Sequence, residues 1–308
     1  MMKVVLSLLF GMTLCVAQLH AQSLPGNAKN VLFLGDSITY AGQYTADVET
    51  FFILRHQAAD TRFINAGLPS ETVSGLSPVG HAGGKFPMPV LHDRLGRLLA
   101  HVRPDLVFVC YGMNDGIMQP FDDERFQAFK NGMTATHEQI AKTGAKIIHL
   151  TPPVFDGVKG HNDFYNGVLD HYTQWLLGQR QSAGWTVIDL HGPMTAYLDG
   201  QRKTNPGFFF ANDGVHPDDL GHWVMAQQIL LGLGATEVAA MKDDAALAAM
   251  HPHGQAILKL VREREEMLRS TTLTLTGHKR PGLTPGIPRA DADRQSAVIE
   301  QKINQLLK

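Results

Sequence analysis

Short apolar runs rich in β-branched residues alternate along this chain with longer stretches whose apolar positions recur at helical spacing. Asn30-Val31-Leu32-Phe33-Leu34, Arg62-Phe63-Ile64-Asn65-Ala66, Asp105 to Tyr111, Lys146-Ile147-Ile148-His149-Leu150 and Thr186-Val187-Ile188-Asp189-Leu190 predict five strands. The first three run into a glycine (Gly35, Gly67 and Gly112), and the fourth is stopped by Pro152-Pro153. Between them, 45–58, 88–101, 122–142 and 163–181 carry apolar residues at a period near 3.6 and predict helices. Asp122 suits an N-cap and Gly144 a stop, and Asp218 suits the cap of a further helix running to Leu231. Strands that are apolar throughout and alternate with helices predict a parallel sheet covered on both faces. Ligands in such sheets bind beyond the carboxyl ends of the strands. The texture changes after Gly234: 235–267 is alanine-rich and charged and predicts helix, 271–288 predicts an extended loop, and 290–308 a terminal helix. The division expected is a main domain over 22–234 and an extension over 235–308.

Composition narrows the function classes. The 308 residues are 44% hydrophobic, which suits a globular core. The formal net charge is −2, so there is no basic excess to meet phosphates, and nucleic acid is not an expected partner. Residues 1–21 read as a secretory signal: Lys3 gives a positive start, Val4 to Val16 is almost wholly apolar, and Ala17 and Ala21 are small residues near a cleavage point. A buried N-terminal helix is the alternative. The apolar run is shorter than the roughly 20 residues a membrane span requires, so no transmembrane span is expected. Leu14 before Cys15 argues against a lipoprotein. The expected location is the periplasm or the extracellular space. Cleavage would remove Cys15 and leave Cys110 as the one cysteine, so no internal disulfide can form. Cys110 lies in an apolar run and reads as core.

Candidate chemistry lies at the strand ends. In Gly35-Asp36-Ser37-Ile38-Thr39 a serine directly follows the first strand, where rigid backbone can hold a nucleophile; a turn with a capping serine gives the same pattern. In Asn212-Asp213-Gly214-Val215-His216-Pro217 an aspartate three residues before a histidine can hold one imidazole nitrogen and leave the other for a serine; a surface Asp-Gly turn is the bland alternative. Gly67 and Asn114 follow the second and third strands and can supply N–H donors to an oxyanion, or serve as a turn glycine and an Asx cap.

Taken in order, Gly-Asp-Ser at 35–37, a glycine at 67, Gly-x-Asn-Asp at 112–115 and Asp-x-x-His at 213–216 resemble the SGNH (GDSL) hydrolase superfamily over about residues 29–232. The resemblance implies a three-layer α/β/α sandwich, flavodoxin-like, with about five parallel strands and the C-terminal helical extension appended. It implies a serine esterase in which Ser37 is the nucleophile, His216 the base and Asp213 its orienting carboxylate. It further implies an oxyanion hole made by the N–H groups of Ser37 and Gly67 with the side chain of Asn114. No metal or organic cofactor is implied. Ile38 stands where the name motif has leucine, and Asp115 reads as structural. No Gly-x-Ser-x-Gly elbow occurs, which argues against an α/β-hydrolase. The expected substrate is a small-molecule or polysaccharide ester, with carbohydrate deacetylation favoured. Fatty-ester hydrolysis of the lipase or lysophospholipase type is the alternative, and a non-catalytic glycan-binding protein on the same scaffold a third. Oligomeric state is not legible. His222 reads as helical packing, Phe208-Phe209-Phe210 as core or a pocket wall, and His251 and His253 lack partners for a metal site. The extension reads as a strap on the main domain, with glycan or partner binding near 277–282 the competing reading.

Overall fold

The computed structural model describes residues 24–308 apart from Gly26 and Ala59. The expected export segment, 1–21, lies outside the described residues. Five strands form one sheet: β1 (Asn30–Gly35), β2 (Arg62–Asn65), β3 (Leu106–Cys110), β4 (Lys146–Leu150) and β5 (Thr186–Ile188). Their order is β2-β1-β3-β4-β5, and every pair is parallel. This is the flavodoxin-like winding, whose direction reverses between β1 and β3.

The helices are α1 (Ser37–Ala41), α2 (Gln43–Leu54), α3 (Leu95–Val102), α4 (Asp123–Ala141), α5 (Gly157–Gly160), α6 (Tyr165–Ser182), α7 (His191–Arg202), α8 (Asp219–Gly232), α9 (Asp244–Ala248), α10 (Gly254–Thr276) and α11 (Arg289–Leu306). Strand alternation assigns them to layers. Phe33 stacks on Phe108 and meets Tyr44 of α2 edge-on, and Tyr44 stacks on His222 of α8. One residue along, Val109 pairs with His149, which stacks against His137 of α4 on the other face. Every residue of β3, the central strand, is buried, as expected of a strand covered on both sides. The result is the expected α/β/α sandwich. Among the described residues no helix is long and apolar enough to cross a membrane.

Residues 235–308 do not form a separate lobe. α10 packs along α2 and against β2, and α11 packs on α10. Ile257, Val261 and Ile303 join Ala46, Ile53 and Leu54 in a second apolar cluster. Burying each large aliphatic side chain is worth about 1.5–3 kcal/mol. The same face pairs Arg262 with Asp47 at 3.1 Å and Arg264 with Glu49 at 2.5 Å, so the extension supplies a polar partner to two buried acidic residues of α2.

Several boundaries differ from the sequence pattern. The stretch 235–267 is not one helix: it is a 3₁₀ turn (Thr236–Ala240), the short α9 and then α10. α9 is capped by Asp243, and Pro252 precedes α10. α10 also runs on to Thr276, where a loop was expected from 271. Thr271, Thr272 and Thr276 are buried, and Thr276 returns its hydroxyl to the Thr272 carbonyl, so tertiary packing overrides weak helix propensity. The helix expected from 88 begins only at Leu95, because Thr72 N–H pairs with the Pro89 carbonyl and holds that segment extended. α7 was not anticipated.

Candidate active site

The turn that carries Ser37 is built by close packing. β1 ends at Gly35, where a side chain would meet Thr39 Oγ1 at 2.0 Å and the Cys110 carbonyl at 2.9 Å. Asp36 is buried and caps α1 by accepting from the Ile38 N–H at 2.9 Å. Burial pushes its carboxyl up to about 7, against that hydrogen bond. Ser37 is therefore the first residue of α1, and its N–H is one of the helix-start donors without an intrahelical acceptor.

The second loop comes from the far end of the chain and meets Ser37 there. Nε2 of His216 lies 2.8 Å from Ser37 Oγ, and Nδ1 lies 2.7 Å from Asp213 Oδ2. The other carboxylate oxygen of Asp213 accepts from the N–H groups of Val215 and His216 at 2.9 and 2.8 Å. Burial raises the Asp213 pKa, but these bonds and His216 outweigh it and hold the carboxyl below its ordinary value. An ionised Asp213 can only accept, so Nδ1 carries the proton and Nε2 is free to accept from the Ser37 hydroxyl. Gly214, at φ +82°, lies where a side chain would strike Gly160 at 2.5 Å. Asp156 N–H bonds the Gly214 carbonyl at 2.9 Å, and Arg202 of α7 binds both Asp156 carboxylate oxygens, at 2.8 and 2.7 Å. Thus α5 and α7 hold the histidine loop. The His216 and Asp213 side chains are 51% and 55% exposed, so the pair sits on an open surface and not in a tunnel.

The donor side is formed by the ends of β2 and β3. Asn114 is buried, and its Nδ2 donates to the Glu71 carbonyl at 3.2 Å. The buried Asp115 accepts from the N–H groups of Val73 and Ser74, at 2.9 and 2.8 Å. Burial still pushes its carboxyl up to about 6. Asp115 thus holds a loop, as the sequence suggested.

Gly67 has a different part from the one expected. Its N–H donates to Asn65 Oδ1 at 2.9 Å, and a side chain on it would meet Tyr40 N at 2.3 Å. Glycine is required there because the loop passes under α1, and its N–H is already engaged. Three residues on, Ser70 adopts φ +65°, a left-handed conformation unusual outside glycine. Ser70 directly precedes Glu71, whose carbonyl holds Asn114. Sequence reasoning missed Ser70; the Pro69-Ser70 pair was a turn signal and nothing more.

It also missed a buried network beneath this loop. Arg94 donates Nε and Nη2 to the two Glu71 carboxylate oxygens, each at 2.6 Å, and Nη2 also to the Ala66 carbonyl at 2.7 Å. Tyr111 donates its hydroxyl to Glu71 at 2.6 Å. The other marked residues are structural. Cys110 is buried, and burial pushes its thiol well up. Burial lowers His222 to about 3. Phe210 is core, while Phe208 and Phe209 are half-buried. Among the described residues no group of three or more His, Cys, Asp or Glu has the arrangement of a metal site.

Comparison with known proteins bears on the fold and the family. No curated protein sequence matches the chain. Among solved structures, a gut microbial diltiazem-metabolizing enzyme superposes with a TM-score of 0.52 at 22% identity, over 66% of this chain and 46% of that one. This chain therefore matches less than half the length of that enzyme. A catalytic mutant of Axe2, an acetylxylan esterase from Geobacillus stearothermophilus, gives 0.52 at 20% identity over 66% and 93% of the two chains. The acetyl xylan esterase AlAXEase gives 0.52 at 21% over 65% and 98%. At these identities the likeness is one of fold. Residues 33–224, more than half of the chain, match the GDSL-like lipase/acylhydrolase family model; the chain belongs to that family and is a carboxylic ester hydrolase.

Proposed function

We propose that this protein is an exported serine esterase that removes acetyl groups from an oligo- or polysaccharide. The observation that carries the catalytic part is the hydrogen-bonded line Asp213–His216–Ser37, at 2.7 and 2.8 Å. His216 Nε2 takes the Ser37 proton as Oγ attacks the ester carbonyl carbon. The tetrahedral intermediate places its negative charge on the former carbonyl oxygen. Three donors meet that charge in this reading: the N–H of Ser37, the second Nδ2 hydrogen of Asn114 and the N–H of Ser70. Ser70 replaces Gly67 because the Gly67 N–H is engaged by Asn65. As the intermediate collapses, His216 passes its proton to the departing alcohol oxygen and leaves an acyl-serine. Water then loses a proton to the same nitrogen, attacks the acyl carbon and releases the acid, and the proton returns to Ser37 Oγ.

The substrate class is supported by the open setting of His216 and Asp213, which lets a bulky alcohol approach. It is also supported by fold likeness to two acetylxylan esterases. Export is supported by the pattern of the first 21 residues. The test compares hydrolysis of 4-nitrophenyl acetate by the parent and by Ser37→Ala, followed by longer nitrophenyl esters and acetylated xylan. A steep fall in rate beyond butyrate with acetate release from xylan supports the reading. Preference for long acyl chains would replace it with a lipase-type activity.

A further inference from the structure

The matched family region ends at residue 224, yet α10 reaches the nucleophile turn from beyond it. α1 is only five residues long, so its closing carbonyls lack intrahelical donors. The Tyr40 carbonyl accepts from Arg269 Nη1 at 2.5 Å, and the Arg269 guanidinium lies 4.1 Å from the centre of the Tyr40 ring. The Thr39 carbonyl accepts from Asn65 Nδ2 at 2.6 Å. Glu265, one helical turn before Arg269, accepts from the same Asn65 amide at 2.7 Å and from the Thr45 hydroxyl. With Nδ2 facing two acceptors, Asn65 Oδ1 must face the Gly67 N–H, as it does at 2.9 Å.

Glu265 and Arg269 are 4% and 7% exposed. Burying such groups is unfavourable unless they are bonded, and α10 already docks through Ile257, Val261 and Leu268. The polar pair reaches the chain that follows Ser37: the end of α1, the Gly42 turn and, through Asn65, the loop carrying Gly67 and Ser70. A side chain at Gly42 would lie 3.0 Å from Glu265 Oε1 and 3.3 Å from Arg269 Nη1, which shows how closely α10 abuts the turn.

We infer that α10 is a working part of the active centre, with Glu265 and Arg269 as positioning residues that fix Ser37 against His216 and against the donor loop. The inference rests on Ser37 being the nucleophile, so parent and Ser37→Ala are assayed first. Failure there, with no hydrolysis by the parent or undiminished hydrolysis by Ser37→Ala, removes the nucleophile and not the scaffold. The experiment measures kcat and KM for 4-nitrophenyl acetate, with thermal melting, on the full chain carrying Glu265→Leu, Glu265→Gln, Arg269→Met, Arg269→Lys or Val261→Ala. Misplacing reacting groups by about 1 Å can cost on the order of 10² in rate. Glu265→Leu and Arg269→Met are expected to lower kcat by roughly 10- to 100-fold with KM nearly unchanged. Glu265→Gln, whose amide oxygen can still accept from Asn65, restores kcat. Val261→Ala lowers the melting temperature without lowering kcat. Folded Leu and Met variants with parental kcat would overturn the inference, as would an equal kcat loss in Val261→Ala. If either variant does not fold, Arg269→Lys decides: it keeps the charge but not the stacked, planar fork, and parental kcat in it overturns the inference.

Discussion

Asn114 donates one hydrogen of its side-chain amide to the Glu71 carbonyl at 3.2 Å, so the end of β3 is fastened to the loop that follows β2. The amide carries two hydrogens, and the second is available to an oxyanion. Asn114→Ala is expected to keep the fold and lose about 10²–10³ in kcat, the usual effect of deleting one such donor. Steady-state kinetics on a short nitrophenyl ester checks this. A kcat equal to the parent's would take Asn114 out of the oxyanion hole.

The two small residues of the loop after β2 predict opposite outcomes. A methyl on Gly67 would stand 2.3 Å from Tyr40 N, so Gly67→Ala must push the loop away from α1. Loss of both melting temperature and kcat is expected. Ser70 is already in the left-handed region, which costs a non-glycine residue roughly 1–2 kcal/mol. Ser70→Gly removes that strain, keeps the backbone N–H and offsets part of the gain through a freer unfolded chain. An unchanged or slightly higher melting temperature with kcat within a few-fold of the parent is expected. A large kcat loss in Ser70→Gly would show that its hydroxyl, and not its backbone, matters.

Beneath that loop, Arg94 and Glu71 are 1% and 0% exposed at the side chain and meet at 2.6 Å. Removing one partner of a buried pair leaves the other charge uncompensated, at about 3–5 kcal/mol. Arg94→Met is expected to fall in that range by urea denaturation and also to leave the Ala66 carbonyl without its donor. Glu71→Gln keeps one oxygen to accept from Arg94 Nη2 and Tyr111 but turns an NH2 toward Arg94 Nε and leaves the guanidinium uncompensated, so a loss in the same range is expected. A negligible loss in Glu71→Gln would mean that the pair's charge has no part in holding the loop.

What was legible in the sequence is what is local. The apolar runs marked the strands, because a strand buried on both faces has to be apolar throughout. Ser37 and the Asp213–His216 pair were legible because each is a short pattern at the mouth of an element. Asn65 and Glu265, by contrast, are 200 positions apart, and nothing in either neighbourhood points to the other. Gly67 was legible as a needed glycine, but not whether space beneath Tyr40 or a free N–H required it. The Thr-rich end of α10 was read as loop because propensity is a local quantity, whereas burial against β2 and α2 is not.

Glu265 also makes stability depend on pH with a definite sign. Burial pushes its carboxyl up to about 8, against the hydrogen bonds from Thr45 and Asn65. Unfolded, the group titrates near the ordinary value of 4.5. Between those values the folded protein holds a proton that the unfolded chain has lost. Its contribution is therefore full below about pH 4.5 and declines, by at most about 1.4 kcal/mol per pH unit, until pH passes 8. Asp36 and Asp47, each pushed to about 7 by burial, act in the same direction but finish earlier. Glu265→Gln removes one titration and leaves theirs. Denaturant unfolding of parent and variant from pH 5 to pH 9 isolates it: the variant should gain on the parent steadily up to about pH 8 and then run parallel. Curves parallel over the whole range would mean that Glu265 is ionised in the folded protein, with Arg269 as its counter-charge.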